Sequence, residues 1–93
     1  MRMENLKETK KISAFLTKIR DKWPSKIERF EFKTATVVYI YLKDGISSLD
    51  FSEKLSKKLD QLVDFSIPLL LYHVESGGES LRAQPVNWYS SLR

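Results

Sequence analysis

The chain has no cysteine, one histidine, three glycines and three prolines among its 93 residues. Each scarcity removes a class of explanation. Without cysteine there is no disulfide framework and no thiolate metal site, and the composition fits a reducing, cytoplasmic setting. With a single histidine, any metal site would have to be built from carboxylates. The acids at 44, 50, 53, 60 and 64 are strung along a turn and a helix without calcium-loop spacing, so they predict a solvated face and no metal. The glycines do not fit a Walker or dinucleotide loop, so Gly77-Gly78 predicts a plain turn and no cofactor is expected. Apolar runs are short as well. The longest, Val37–Leu42 and Ile67–Tyr72, fall far below the ~20 residues a bilayer-spanning helix needs, which predicts no membrane contact. Met1–Lys7 has no apolar run behind its charges, unlike a secretory signal.

What is present is a globular composition, 42% hydrophobic and 30% charged, of a length suited to a single domain over residues 1–93. A domain of this size buries only about 60–65% of its unfolded surface, so pairing with a second copy or another protein is expected to help it. The net charge of +4 is unevenly placed: residues 1–33 hold ten Lys/Arg against five Asp/Glu, residues 34–93 six against seven. The basic character belongs to the first third of the chain.

Hydrophobic periodicity predicts a helix over 4–23, with Ile12, Phe15, Leu16, Ile19 and Trp23 on one face and Pro24 ending the run. Residues 26–33 alternate as a half-buried edge strand, Phe30 and Phe32 on one side, Arg29, Glu31 and Lys33 on the other together with Ile27. Thr34-Ala35-Thr36 has little turn character. Residues 36–42 are β-branched and aromatic on both faces, which predicts a central strand covered on both sides. Asp44-Gly45 marks a turn, and Ser47 or Ser48 caps a helix over 48–63 with Phe51, Leu55, Leu59, Leu62 and Val63 on its apolar face. A strand over 67–74 follows, with Pro68 at its start. The tail, 80–93, admits two readings: a short helix from Ser80 that Pro85 ends, or an edge strand over Val86–Tyr89. The sum is an α+β fold in the order α-β-β-α-β plus tail. Its mixed sheet has three or four strands, the first two antiparallel and the second and third parallel across the helix, with two helices on one face and the tail on the other.

Chemistry-bearing constellations are few. His73 shares strand parity with Leu69 and Leu71 and has no nucleophile or orienting acid at diagnostic spacing, so a structural histidine with a backbone partner is expected. No catalytic residue is assigned, and the chain reads as non-enzymatic.

The order of helix, two antiparallel strands, helix and parallel strand is similar to the small nucleotidyltransferase domains paired with toxins. In that family a Gly-Ser turn follows the first strand, two spaced aspartates open the second, and a third acid lies on the last. Here the turn is Thr34-Ala35-Thr36 and the second strand opens Val37-Val38-Tyr39, so the metal-binding aspartates have no counterpart. The resemblance covers element order alone and implies a catalytically inactive relative.

Two surfaces are expected to bind. Lys7, Lys11, Lys18 and Lys22 share an arc of roughly 60° on the first helix, beside its apolar stripe. With Lys26 and Arg29 they predict a ridge for nucleic acid or another polyanion. Phe30 and Phe32 on the edge strand, with Trp88 and Tyr89 in the tail, predict a protein interface or homodimer contact. The protein interface is the leading expectation.

Overall fold

The computed structural model describes residues 3–78 and 81–87, with side chains from Thr9 onward. The elements are α1 (Met3–Lys22), β1 (Ile27–Thr34), β2 (Val37–Leu42), α2 (Ser48–Ser56), α3 (Leu59–Leu62), β3 (Leu69–Val74) and β4 (Leu81–Val86). The four strands form one sheet in sequence order, β1-β2-β3-β4. β1–β2 and β3–β4 are antiparallel hairpins, and β2–β3, joined through the helices, is the parallel step. The α+β class and the expected element order therefore hold, and the tail begins as a fourth strand. That strand is β4, at 81–86 instead of Val86–Tyr89; Trp88 and Tyr89 lie outside the described residues. Pro85 does not end it, because β4 lies at the sheet edge, where a missing N–H need not break a ladder. The strand stops before Asn87, which has a left-handed φ of +64° and donates its side-chain amide to the Phe65 carbonyl.

One face of the sheet carries the helices. Ile12, Phe15, Leu16 and Ile19 of α1 and Phe51 and Leu55 of α2 are buried against Val38, Ile40 and Leu42 of β2, Leu69 and Leu71 of β3 and Val86 of β4. Phe15 meets Phe65 edge-on at 5.1 Å, and Trp23 meets Phe51 in the same way at 5.4 Å, which ties the end of α1 to α2. Each edge-on aromatic pair contributes about 1 kcal/mol beyond its burial.

Three further departures from the sequence reading concern the sheet and the second helix. Ile27 does not share a face with Arg29. It pairs with Leu42 and enters the core, while Arg29 pairs with Tyr41, because a register irregularity at Glu28 shifts the phase of β1. The second helix is not continuous over 48–63 but breaks after Ser56. The Ser56 hydroxyl donates to the Glu53 carbonyl at 2.7 Å, and Lys57 N–H reaches that carbonyl only at 3.4 Å. Lys58 N–H then bonds one residue short, to Leu55, and α3 starts anew. Finally, β2 is not covered on both sides. Val38, Ile40 and Leu42 are buried, whereas Val37, Tyr39 and Tyr41 are half-exposed on a face that no described element covers.

Candidate functional site

The uncovered face is built by strand alternation. Register places Val37, Tyr39 and Tyr41 of β2 beside Leu70, Tyr72 and Val74 of β3, and these beside Pro85, Ala83 and Leu81 of β4. On the other side, Arg29 and Glu31 of β1 lie opposite Tyr41 and Tyr39. The centre is aromatic: Tyr39 lies 5.1 Å from Tyr72 and 6.2 Å from Tyr41, ring to ring. Arg29 stacks its guanidinium 3.8 Å over Tyr41, and Lys33 holds its ammonium 4.9 Å over Tyr39. Glu31 sits between the two cations, paired with both, and accepts a hydrogen bond from the Tyr41 hydroxyl at 3.3 Å. The hydrogen bond from Lys33, then the charges of Lys33 and Arg29 and the Tyr41 hydroxyl, hold the Glu31 carboxyl below its ordinary range; the same bond raises Lys33. The β4 side is apolar, with Leu81, Ala83 and Pro85 exposed.

The opposite, helical layer carries the lysines. Lys11, Lys18 and Lys22 are exposed along α1, and Lys26 follows it half-buried; the Lys7 side chain lies outside the described residues. Arg29 does not join this ridge. Strand alternation, which sets Arg29 and Glu31 opposite Phe30 and Phe32, sends it to the open sheet face, the far side of the molecule. Phe30 leaves the interface set because its face of β1 meets the helical layer. It is half-buried against the core beneath Arg20, whose guanidinium lies 6.0 Å from its ring. Phe32, on the helix side of β1, is exposed.

His73 is fully buried under α2, and its partner is a side chain, not the backbone. Gln84 of β4 donates its Nε2 to the Ser52 carbonyl at 3.1 Å, so its Oε1 turns to His73 Nε2 at 2.6 Å. That geometry assigns the proton to Nε2. It leaves Nδ1 with no partner among the described residues, beside the ring of Phe51 at 5.2 Å. Burial, which outweighs the Gln84 hydrogen bond, pushes the His73 pKa down to about 4. A neutral imidazole sealed from solvent has no route to a substrate, so its role is structural.

The carboxyl ends of the parallel strands, where open α/β sheets bind ligands, form a shallow cleft lined by Asp44, Gly45, Ile46, Ser47, Glu75 and Ser76. Its carboxylates are engaged in holding the loops: Asp44 accepts from the Ser76 hydroxyl, and Glu75 accepts from the Ser48 backbone N–H at 2.7 Å. Among the described residues no group of three or more His, Asp or Glu is placed to hold a metal ion, and no helix is long and apolar enough to cross a membrane. Tyr39 and Tyr41 read in the sequence as part of a strand covered on both sides, so β2 gave no signal for the open face, whereas alternation did put Arg29, Glu31 and Lys33 together. The β1 phase shift that takes Ile27 off that face had no signal either. No protein-family model, no curated protein and no solved structure matches the chain.

Proposed function

We propose that this domain is a non-enzymatic binding module that acts by protein–protein contact through the open face of its sheet, and that the protein it meets there is a second copy of itself. One observation carries the reading: among the described residues nothing lies over Tyr39, Tyr41, Tyr72, Leu70 and the exposed Leu81. An apolar and aromatic patch bordered on one side by charged groups has the layout of an interface core and rim. Tyrosine and arginine are also the residue types that dominate interface energetics. Two copies related by a two-fold axis present the same patch to each other, so self-complementarity is enough and no separate partner surface is required. A chain of 93 residues with a small core gains from the added burial. On this face Arg29 and Lys33 share one carboxylate, Glu31, so little net charge remains to repel a second copy or to attract a polyanion.

Sedimentation equilibrium at micromolar concentration is the test. The wild type is expected as a dimer, and Leu81→Ser/Tyr72→Ser as a folded monomer by circular dichroism. A wild type that stays monomeric, or a variant that dimerises as well as the wild type, overturns the reading.

A further inference from the structure

We infer that the helical layer carries a second, independent surface: a lysine-lined lane between α1 and α2 that takes the phosphate backbone of a nucleic-acid duplex. Helix geometry and packing together set its position. Arg20, on one flank of α1, reaches Phe30 on the edge strand β1. The flank bearing Lys11, Lys18 and Lys22 lies roughly 160–180° away around the helix and is therefore turned toward α3 along its length, where α1 meets α3, and toward α2 at its Trp23 end. Lys22 sits 5.9 Å from the ring of Trp23, which packs on Phe51 of α2. On α2, Lys54 lies about 60° from Phe51, on the side away from Ser52, whose carbonyl is tied to β4. Lys54 and Lys26 line one cleft, which places them on the two banks of the lane.

Five cations thus come from two stretches well apart in sequence, 11–26 and α2. Among the described residues none of Lys11, Lys18, Lys22, Lys26 and Lys54 makes an ion pair. The opposing charge is modest: Asp50 lines the cleft, and Asp21 flanks α1. This is the reverse of the open sheet face, where both cations are paired with Glu31.

The chemistry of the lane selects its ligand. From Lys11 to Lys22 the ammonium groups cover about 16 Å of helix, a row suited to a linear polyanion with regularly spaced charges. No exposed aromatic borders it, since Trp23 is half-buried against Phe51, so base stacking of the kind that holds single strands has no platform here. The exposed large hydrophobics, Phe32, Leu49 and Leu81, lie on β1, the far side of α2 and β4, so the lane has no apolar wedge for a lipid surface. Contacts from ammonium groups to phosphates position a duplex without reading its sequence.

Fluorescence anisotropy with a labelled duplex of arbitrary sequence tests this. Four phosphate contacts predict that affinity falls about 100-fold between about 50 and about 200 mM salt. Lys18→Gln/Lys22→Gln/Lys54→Gln, all at exposed positions, is expected to flatten the log–log salt slope by about 2.7, roughly 0.9 for each ammonium group removed. The Leu81→Ser/Tyr72→Ser variant is expected to keep the wild-type slope, which separates this surface from the sheet face. The proposal fails if the wild type does not bind the duplex at low salt, if the triple variant keeps the wild-type slope, or if anionic vesicles compete the duplex away from the wild type.

Discussion

His73 makes stability depend on pH in a way that a single substitution can isolate. Its imidazole is buried with Nε2–H donated to Gln84 and Nδ1 unpaired, and its pKa is pushed down to about 4. In the unfolded chain the same group titrates near 6.5. Between these two values the unfolded state binds the extra proton and the folded state does not, so acidification favours unfolding. The neutral form's full stability is present above about pH 6.5 and is lost as pH falls toward 4. Between about pH 7.5 and pH 5 the loss works out at about 2 kcal/mol, in a window where most carboxylates have not begun to titrate. The cause is local. A proton on Nδ1 would place a charge among apolar side chains and the Phe51 ring, with no acceptor to share it. Urea denaturation at the two pH values is the assay. The wild-type midpoint is expected to drop by about 1–2 M at the lower pH. His73→Leu removes the titrating group and should show a much smaller drop, whatever its own stability at neutral pH. If wild type and variant lose the same stability on acidification, the account of the imidazole as a neutral, sealed group is wrong.

Two further substitutions probe the framework. Ser47→Ala removes the hydroxyl that accepts from Asp50 N–H at the start of α2 and should cost about 1 kcal/mol in denaturant unfolding, without changing self-association. Phe51→Ala empties the junction of Trp23, His73 and the α2 face and should cost about 3–5 kcal/mol, enough to lower the thermal midpoint by more than ten degrees or prevent folding altogether.

Much of the architecture is legible in the sequence because it rests on strong periodicity. The α1 stripe of Ile12, Phe15, Leu16 and Ile19 is buried as a unit, and the β-branched run of β2 does form a central strand. The parts that escape are those where one local hydrogen bond or one extra residue outweighs the pattern. At Glu28 a register irregularity turns Ile27 inward, off the Arg29 face, and no glycine or asparagine announces it. At Ser56 a hydroxyl competes for a helix carbonyl, although the apolar spacing runs on undisturbed through Leu59 and Val63. The β1–β2 turn, weak by composition, is supported by the Thr34 hydroxyl accepting from Thr36 N–H at 3.2 Å. Apolarity on both sides of β2 reads as double burial, but a half-exposed tyrosine and a buried one are alike in sequence. The lysine row of the helical lane is legible along α1. Its other bank, Lys54, required the Trp23–Phe51 contact that sets α2 beside it.

The alternation along β2 has a consequence for how this chain tolerates change. Odd-numbered positions from Val37 to Tyr41 look outward, while Val38, Ile40 and Leu42 between them look in, and both neighbouring strands lock onto the same backbone. Inserting or deleting one residue at its midpoint would exchange inward and outward positions over the half beyond it, burying a phenol hydroxyl and exposing aliphatic groups while tearing hydrogen-bond rungs on two sides at once. Length is therefore frozen in this strand even where composition is not. Variation can accumulate by swapping the outward side chains one at a time, but not by indels, so novelty in what the module recognises can be drawn from this strand only by point replacement.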